Sequence, residues 1–158
     1  MIAFCVGLLA YARNTTAQVT MARFWVTPFD AGLKVLKSDQ YLQFAETAQL
    51  DYLLKTGQFF PVLWSGASFV NVAQLVKFLR PIPVFSVVRV ETQLVYANEK
   101  CAYFSHVLFA KGQRAAEVLV KMKFKKGRLT VPPEAFLPLP FTAVPASVQA
   151  WESALEVL

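Results

Sequence analysis

Between Ser38 and Gly57 the apolar positions recur at helical spacing. Tyr41, Ala45, Ala48 and Tyr52 fall on one stripe, and Leu42, Leu50, Leu53 and Leu54 widen it. Ser38 suits the N-cap, Asp39 and Lys55 complement the two ends of the helix dipole, and Gly57 suits a left-handed residue after the last turn. Past Asp39 only Glu46, Asp51 and Lys55 are charged. The spacing therefore predicts a mostly buried helix, whose alanines let it approach a sheet closely.

The remaining pattern reads as strands. Val19 to Val26 precedes the helix; Phe69 to Leu79, Val84 to Tyr96, Cys101 to Ala110 and Ala115 to Phe124 follow it. Turns are expected at Asn98-Glu99-Lys100, Lys111-Gly112-Gln113 and Lys126-Gly127. In the last strand Ala116, Val118, Val120, Met122 and Phe124 alternate with Glu117, Lys121 and Lys123, so one face points to the core. At ~3.3 Å per residue, strands of this length must curl to stay within a small domain. The expected class is α+β: a curled antiparallel sheet of about five strands wrapped around one long central helix.

Proline sets the boundaries. None of the nine falls within 29–60 or 84–131, so both stretches can hold unbroken elements. Three segments are expected: an apolar N-terminal piece (1–18), the main domain (19–131), and a Pro-rich wrap ending in a short helix (132–158), with Trp151 and Leu155 on one side. Ile2 to Tyr11 is almost wholly apolar, about half the ~20 residues that a spanning helix needs. No basic residue precedes it and no clear cleavage site follows. It reads as a short helix packed on the domain, or as part of a longer anchor. A cytoplasmic location is expected, with weak membrane association through residues 2–12.

Composition narrows the chemistry. Of 158 residues 56% are hydrophobic and 16% charged, which excludes a disordered chain. The 14 Phe, 5 Tyr and 3 Trp exceed what one small core needs, pointing to an oligomer interface or a greasy ligand. A net charge of +6 favours an anionic partner. Two cysteines and one histidine, His106, make neither a disulfide framework nor a metal cluster. Nucleophile elbow, phosphate-cradling glycine loop and zincin pair are all absent, so most enzymes recognised by short motifs are excluded. Nucleic-acid binding is disfavoured, because the aromatics occupy core-facing positions instead of interleaving with the lysines.

The run Tyr41-Leu42-Gln43-Phe44-Ala45-Glu46-Thr47-Ala48-Gln49 resembles the central-helix motif Tyr-Leu-x-Phe-x-Glu-x-Ala-Arg of hotdog-fold acyl-CoA thioesterases of the 4-hydroxybenzoyl-CoA type. Arg23 to Asp30 is similar to that family's first strand with its acid, and Val76-Lys77-Phe78-Leu79-Arg80-Pro81 to its strand ending in Arg-Pro. Three departures stand out. Val35-Leu36-Lys37-Ser38 replaces a His-Val-Asn-Asn stretch, Gln49 replaces the helix arginine, and Asp30 lies one residue further from Tyr41. The resemblance implies a hotdog fold, an obligate homodimer or dimer of dimers, and a substrate tunnel between subunits.

Thioester hydrolysis needs a donor at the carbonyl oxygen and a carboxylate that attacks or activates water. Free amides at the start of a buried helix, from Asp39 through Gln40 to Leu42, supply the donor, with Ser38, Gln40 and Tyr41 as substrate contacts. The resemblance implies Asp30 as the carboxylate; Asp39 and Glu46 are the other catalytic candidates. Asn71 is expected on a cleft-facing strand. Lys77, Arg80, Lys123 and Lys125 are expected to bind the phosphates of coenzyme A, which enters as part of the substrate. No metal and no separate cofactor are expected. The expected function is an acyl-CoA thioesterase acting on fatty-acyl or aryl thioesters; the alternative is a non-catalytic acyl-chain or acyl-CoA binding protein.

Overall fold

The computed structural model describes residues 19–138 and 141–158, so the apolar segment 2–12 lies outside the described residues. The chain runs β1 (Val19–Trp25), α1 (Ser38–Lys55), α2 (Phe59–Trp64), β2 (Ser68–Phe78), β3 (Val87–Ala97), β4 (Ala102–Ala110), β5 (Gln113–Lys126), β6 (Leu129–Val131) and α3 (Ala146–Glu156). One antiparallel sheet has the order β1-β3-β4-β5-β2, and β6 pairs with the end of β5. The curled sheet around a central helix is the hotdog arrangement expected, with six strands in place of five. Among the described residues no helix is long and apolar enough to cross a membrane.

The helix stripe sits where its spacing put it. Tyr41, Ala45, Ala48 and Tyr52 are all buried against the sheet. With only methyl groups at Ala45 and Ala48, aromatic rings pack on either side: Phe24 stacks on Phe44 at 4.9 Å and Tyr52 meets Phe104 edge-on at 5.4 Å. In β5, Ala116 to Phe124 alternate inward as expected, each at most 1% exposed. On the outer face, α3 lays Val148 and Trp151 over Cys101 and Tyr103, and Glu152 pairs with Lys121 at 2.8 Å. Burial, reinforced by the Glu152 carboxylate, pushes the Tyr103 phenol well above its ordinary pKa.

Three local departures have physical causes. Ser38 is not the N-cap: Lys37 holds that position and offers no side-chain cap. The strand expected from Val84 begins only at Val87, because Phe85 adopts φ +64° and Ser86 Oγ turns back to the Pro83 carbonyl. Helix α2 was not foreseen; its Pro61 lies near the helix start, where a missing N–H costs little.

The C-terminus of α1 follows expectation. Gln58 N–H donates to Leu53 O at 2.8 Å and Gly57 N–H to Leu54 O at 3.1 Å, closing a Schellman motif with Gly57 at φ +76°. A Cβ at Gly57 meets nothing within 4 Å, so substitution strains only the backbone. We expect Gly57→Ala to lower unfolding free energy by about 1–2 kcal/mol. An unchanged urea midpoint contradicts this.

Candidate active site

Asp30 closes a turn. Its N–H donates to Thr27 O at 3.1 Å, and Thr27 N–H and Oγ1 donate to Asp30 Oδ2 at 2.8 and 2.6 Å. Among the described residues nothing donates to Oδ1. The following loop folds on itself, with Gly32 N–H on Val35 O at 2.8 Å, and is stitched to the segment before β3 by Leu36 N–H on Ile82 O at 2.8 Å and Val84 N–H on Lys34 O at 3.0 Å. Lys37 N–H then donates to Asp30 O at 3.1 Å. This last bond ties the half-buried Asp30 to the cap position of α1.

The first amides of an α-helix have no intrahelical acceptor four residues back. Here Gln40 N–H, one of those expected to be free, turns to Lys37 O at 3.1 Å, and among the described residues no cap side chain accepts from those of Ser38 and Asp39. Ser38 and Asp39 are exposed, and among the described residues the only side-chain partner of the Asp39 carboxylate is Gln40 Nε2 at 3.2 Å. Tyr41 is buried edge-on against Phe78 at 5.0 Å. Burial raises its phenol pKa, and a backbone hydrogen bond from Ile82 opposes the shift. Asp30, Ser38, Asp39, Gln40 and Tyr41 thus gather at one end of the helix.

Glu46 and Asn71 belong to a second group, halfway along the seam between α1 and β2. Glu46 Oε1 accepts from Asn71 Nδ2 at 3.4 Å and Gln74 Nε2 at 3.2 Å. Gln49, fully buried, donates to Asn71 Oδ1 at 3.3 Å and points its amide at Met122 Sδ, while its own Oε1 has no partner among the described residues. Sequence reasoning marked Gln49 only as a missing arginine. The signal was there, since position 49 lies one residue past the buried Ala48.

The basic residues do not form one rim. Arg80 donates to Gln113 Oε1 at 2.6 Å and, with Pro81, Pro83 and Lys111, lines a cleft of about 320 Å³. Pro83 pairs with Val35, so this cleft adjoins the Asp30 loop. Lys77 is exposed on the outer face opposite Glu117. Lys123 and Lys125 also face outward, because the alternation that buries Met122 and Phe124 turns them away from α1. Arg80 N–H bonds Ala115 O; Lys125 lies ten residues further along β5, ~33 Å at strand rise.

Among the described residues His106 hydrogen-bonds to none of these. It is fully buried on β4, with Nδ1 2.9 Å from Thr92 Oγ1 and, among the described residues, no partner for Nε2. Burial lowers its pKa to about 3, so the ring is neutral at pH 7. Among the described residues no three of His, Cys, Asp and Glu come together as a metal site.

The fold has many relatives among solved structures. A probable thioesterase from Escherichia coli superposes with a TM-score of 0.66 at 21% identity, covering 72% of this chain and 90% of its own. The 4-hydroxybenzoyl-CoA thioesterase in complex with 4-hydroxybenzoyl-CoA gives 0.67 at 16% identity, covering 75% and 96%. A thioesterase from Thermus thermophilus complexed with coenzyme A and zinc gives 0.63 at 22% identity, covering 87% and 94%. No curated protein sequence matches this chain. The sequence profile of the thioesterase-like superfamily matches residues 29–151, which takes in the Asp30 turn, the whole of α1 and every strand after it; the chain belongs to the thioesterase-like superfamily.

Proposed function

We propose that the chain hydrolyses acyl-CoA thioesters at the N-terminus of α1. The observation that carries this reading is the bond from Lys37 N–H to Asp30 O, which joins a carboxylate to an uncapped helix start. The thioester carbonyl oxygen accepts from the free amides at Ser38 and Asp39, where the dipole favours developing negative charge. Thr27 fixes Asp30 Oδ2, leaving Oδ1 to take a proton from the attacking water, or to attack the carbonyl itself and form an acyl-aspartyl anhydride that water then hydrolyses to restore the carboxylate. The C–S bond breaks, the thiolate leaves with a proton, and the products are a carboxylic acid and coenzyme A. Coenzyme A enters as part of the substrate, and no separate cofactor is required. Arg80 beside the cleft supplies a cation for its phosphates.

The site is completed by a second copy in this reading. Among the described residues β2 pairs only with β5, and Val70, Val72, Leu75 and Phe78 are all 45–53% exposed, an unusual apolar load for an edge strand. Pairing of two β2 edges covers it and gives a homodimer. Light scattering is expected to give twice the chain mass at micromolar concentration, and a stable monomer on dilution contradicts the pairing.

A thiol-release assay over fatty-acyl and aryl CoA thioesters tests the activity. Turnover on at least one class supports hydrolysis. Binding without turnover supports the alternative, a non-catalytic acyl-CoA binding protein, which is favoured by the engagement of Asp30 Oδ2 with Thr27.

A further inference from the structure

We propose that the end of the molecule formed by α2 and the β5–β6 turn docks on an anionic lipid surface. Helix α2 displays Phe60, Leu63 and Trp64, and Trp64 is 80% exposed with its ring 5.5 Å from that of Phe60. Leu129, 72% exposed, extends the apolar surface on the turn. The two parts are neighbours: Lys126 Cε lies 3.8 Å from where a Cβ would sit on Gly66, two residues past Trp64, and Lys126 pairs with Leu129. Large apolar side chains left in water at this density mark an interaction surface.

Charge selects the partner. From Lys121 to Val131 the chain carries Lys121, Lys123, Lys125, Lys126 and Arg128 and not one acid. Among the described residues, only Lys121 of these joins a salt bridge. Two copies meeting symmetrically here would set this cationic cluster against itself, whereas an anionic headgroup layer complements it. Aromatic side chains at headgroup depth with lysines beside them suit such an interface. Chain geometry agrees. Lys55 Nζ, at the C-terminal end of α1, bonds Met21 O at 2.6 Å, so β1 starts at the end where α2 begins. Val19, the first described residue, therefore lies at this end of the molecule. Docking involves neither Asp30 nor the start of α1, at the opposite end of the helix, so it stands or falls apart from the proposed hydrolysis.

The test is co-sedimentation of the full chain with phosphatidylcholine vesicles and with phosphatidylserine-rich ones. Wild type is expected to sediment with the anionic vesicles and to be released by high salt. Trp64→Ser with Leu63→Ser, and separately Lys126→Glu with Arg128→Glu, are each expected to weaken that binding about 10-fold or more at unchanged thermal unfolding. The charge reversal lies wholly on exposed residues, so it remains informative if the α2 variant fails to fold. Either pair binding vesicles as wild type does, or wild type ignoring anionic vesicles, overturns the proposal. Loss of self-association in the α2 variant without any vesicle binding by wild type would assign the patch to a second copy instead.

Discussion

Replacing Asp30 by Asn is expected to lower kcat for acyl-CoA hydrolysis by about 10²–10⁴-fold with little change in KM, the range lost when a positioned general base is removed. The substitution is close to isosteric. Asn Oδ1 can still accept from Thr27 N–H and Oγ1, so the turn that holds position 30 and its backbone bond to Lys37 survive. What disappears is the free carboxylate oxygen. The uncapped amides of α1 remain, so residual activity should stay above the uncatalysed rate. Asp39→Asn is the comparison: its carboxylate is exposed and bonds the neighbouring Gln40, and its loss should cost less than tenfold. Equal activity of Asp30→Asn and wild type removes Asp30 from the chemistry.

Acid should destabilise the domain through His106. Unfolded, the imidazole titrates near its ordinary 6.5; folded, burial lowers the pKa to about 3. Between those values the unfolded state binds the extra proton, so stability is full above pH 6.5 and falls as pH drops towards 3. At 1.36 kcal/mol per pH unit the loss from pH 7 to pH 4 is roughly 3 kcal/mol, a large share of a small domain's stability. The cause is local. Thr92 Oγ1 satisfies Nδ1, the Phe104 ring stacks beside the imidazole, and among the described residues no acid pairs with it. His106→Gln cannot titrate and keeps a polar partner for Thr92. Every other titrating group is common to both chains, so the difference between the two urea-stability profiles isolates the histidine. The variant should lose less stability than wild type below pH 6; parallel profiles contradict the assignment.

Much of the frame was legible in the sequence because it rests on periodicity. The stripe Tyr41-Ala45-Ala48-Tyr52 and the alternation from Ala116 to Phe124 are one-dimensional signals of burial, and both faces came out as spaced. Gly57 was legible for a related reason, since only a left-handed residue lets the helix end there. The start of α1 was not. Ser38 has the chemistry of a cap, but the Lys37–Asp30 backbone bond delivers the chain into the helix one residue early. Long-range stitching of the Ala31–Leu36 loop to Ile82 and Val84 has no local signature. Helix α2 is apolar on nearly every residue, so it shows no period at all. The basic residues of two separate strand ends are grouped on charge alone, yet the sheet sends Arg80 and Lys125 to opposite ends of β5. Gln49 was hidden for the opposite reason: its place on the buried face was readable, but a polar residue there breaks the rule that makes the face readable.

The central claim is that the opening amides of α1 receive the thioester carbonyl oxygen. A ketone analogue of acyl-CoA, with methylene in place of sulfur, keeps that oxygen and cannot be hydrolysed. Titrated into the 15N-labelled protein, it should move the Ser38 and Asp39 amide protons downfield and slow their exchange. A bound analogue that leaves both resonances in place while shifting others would contradict the account.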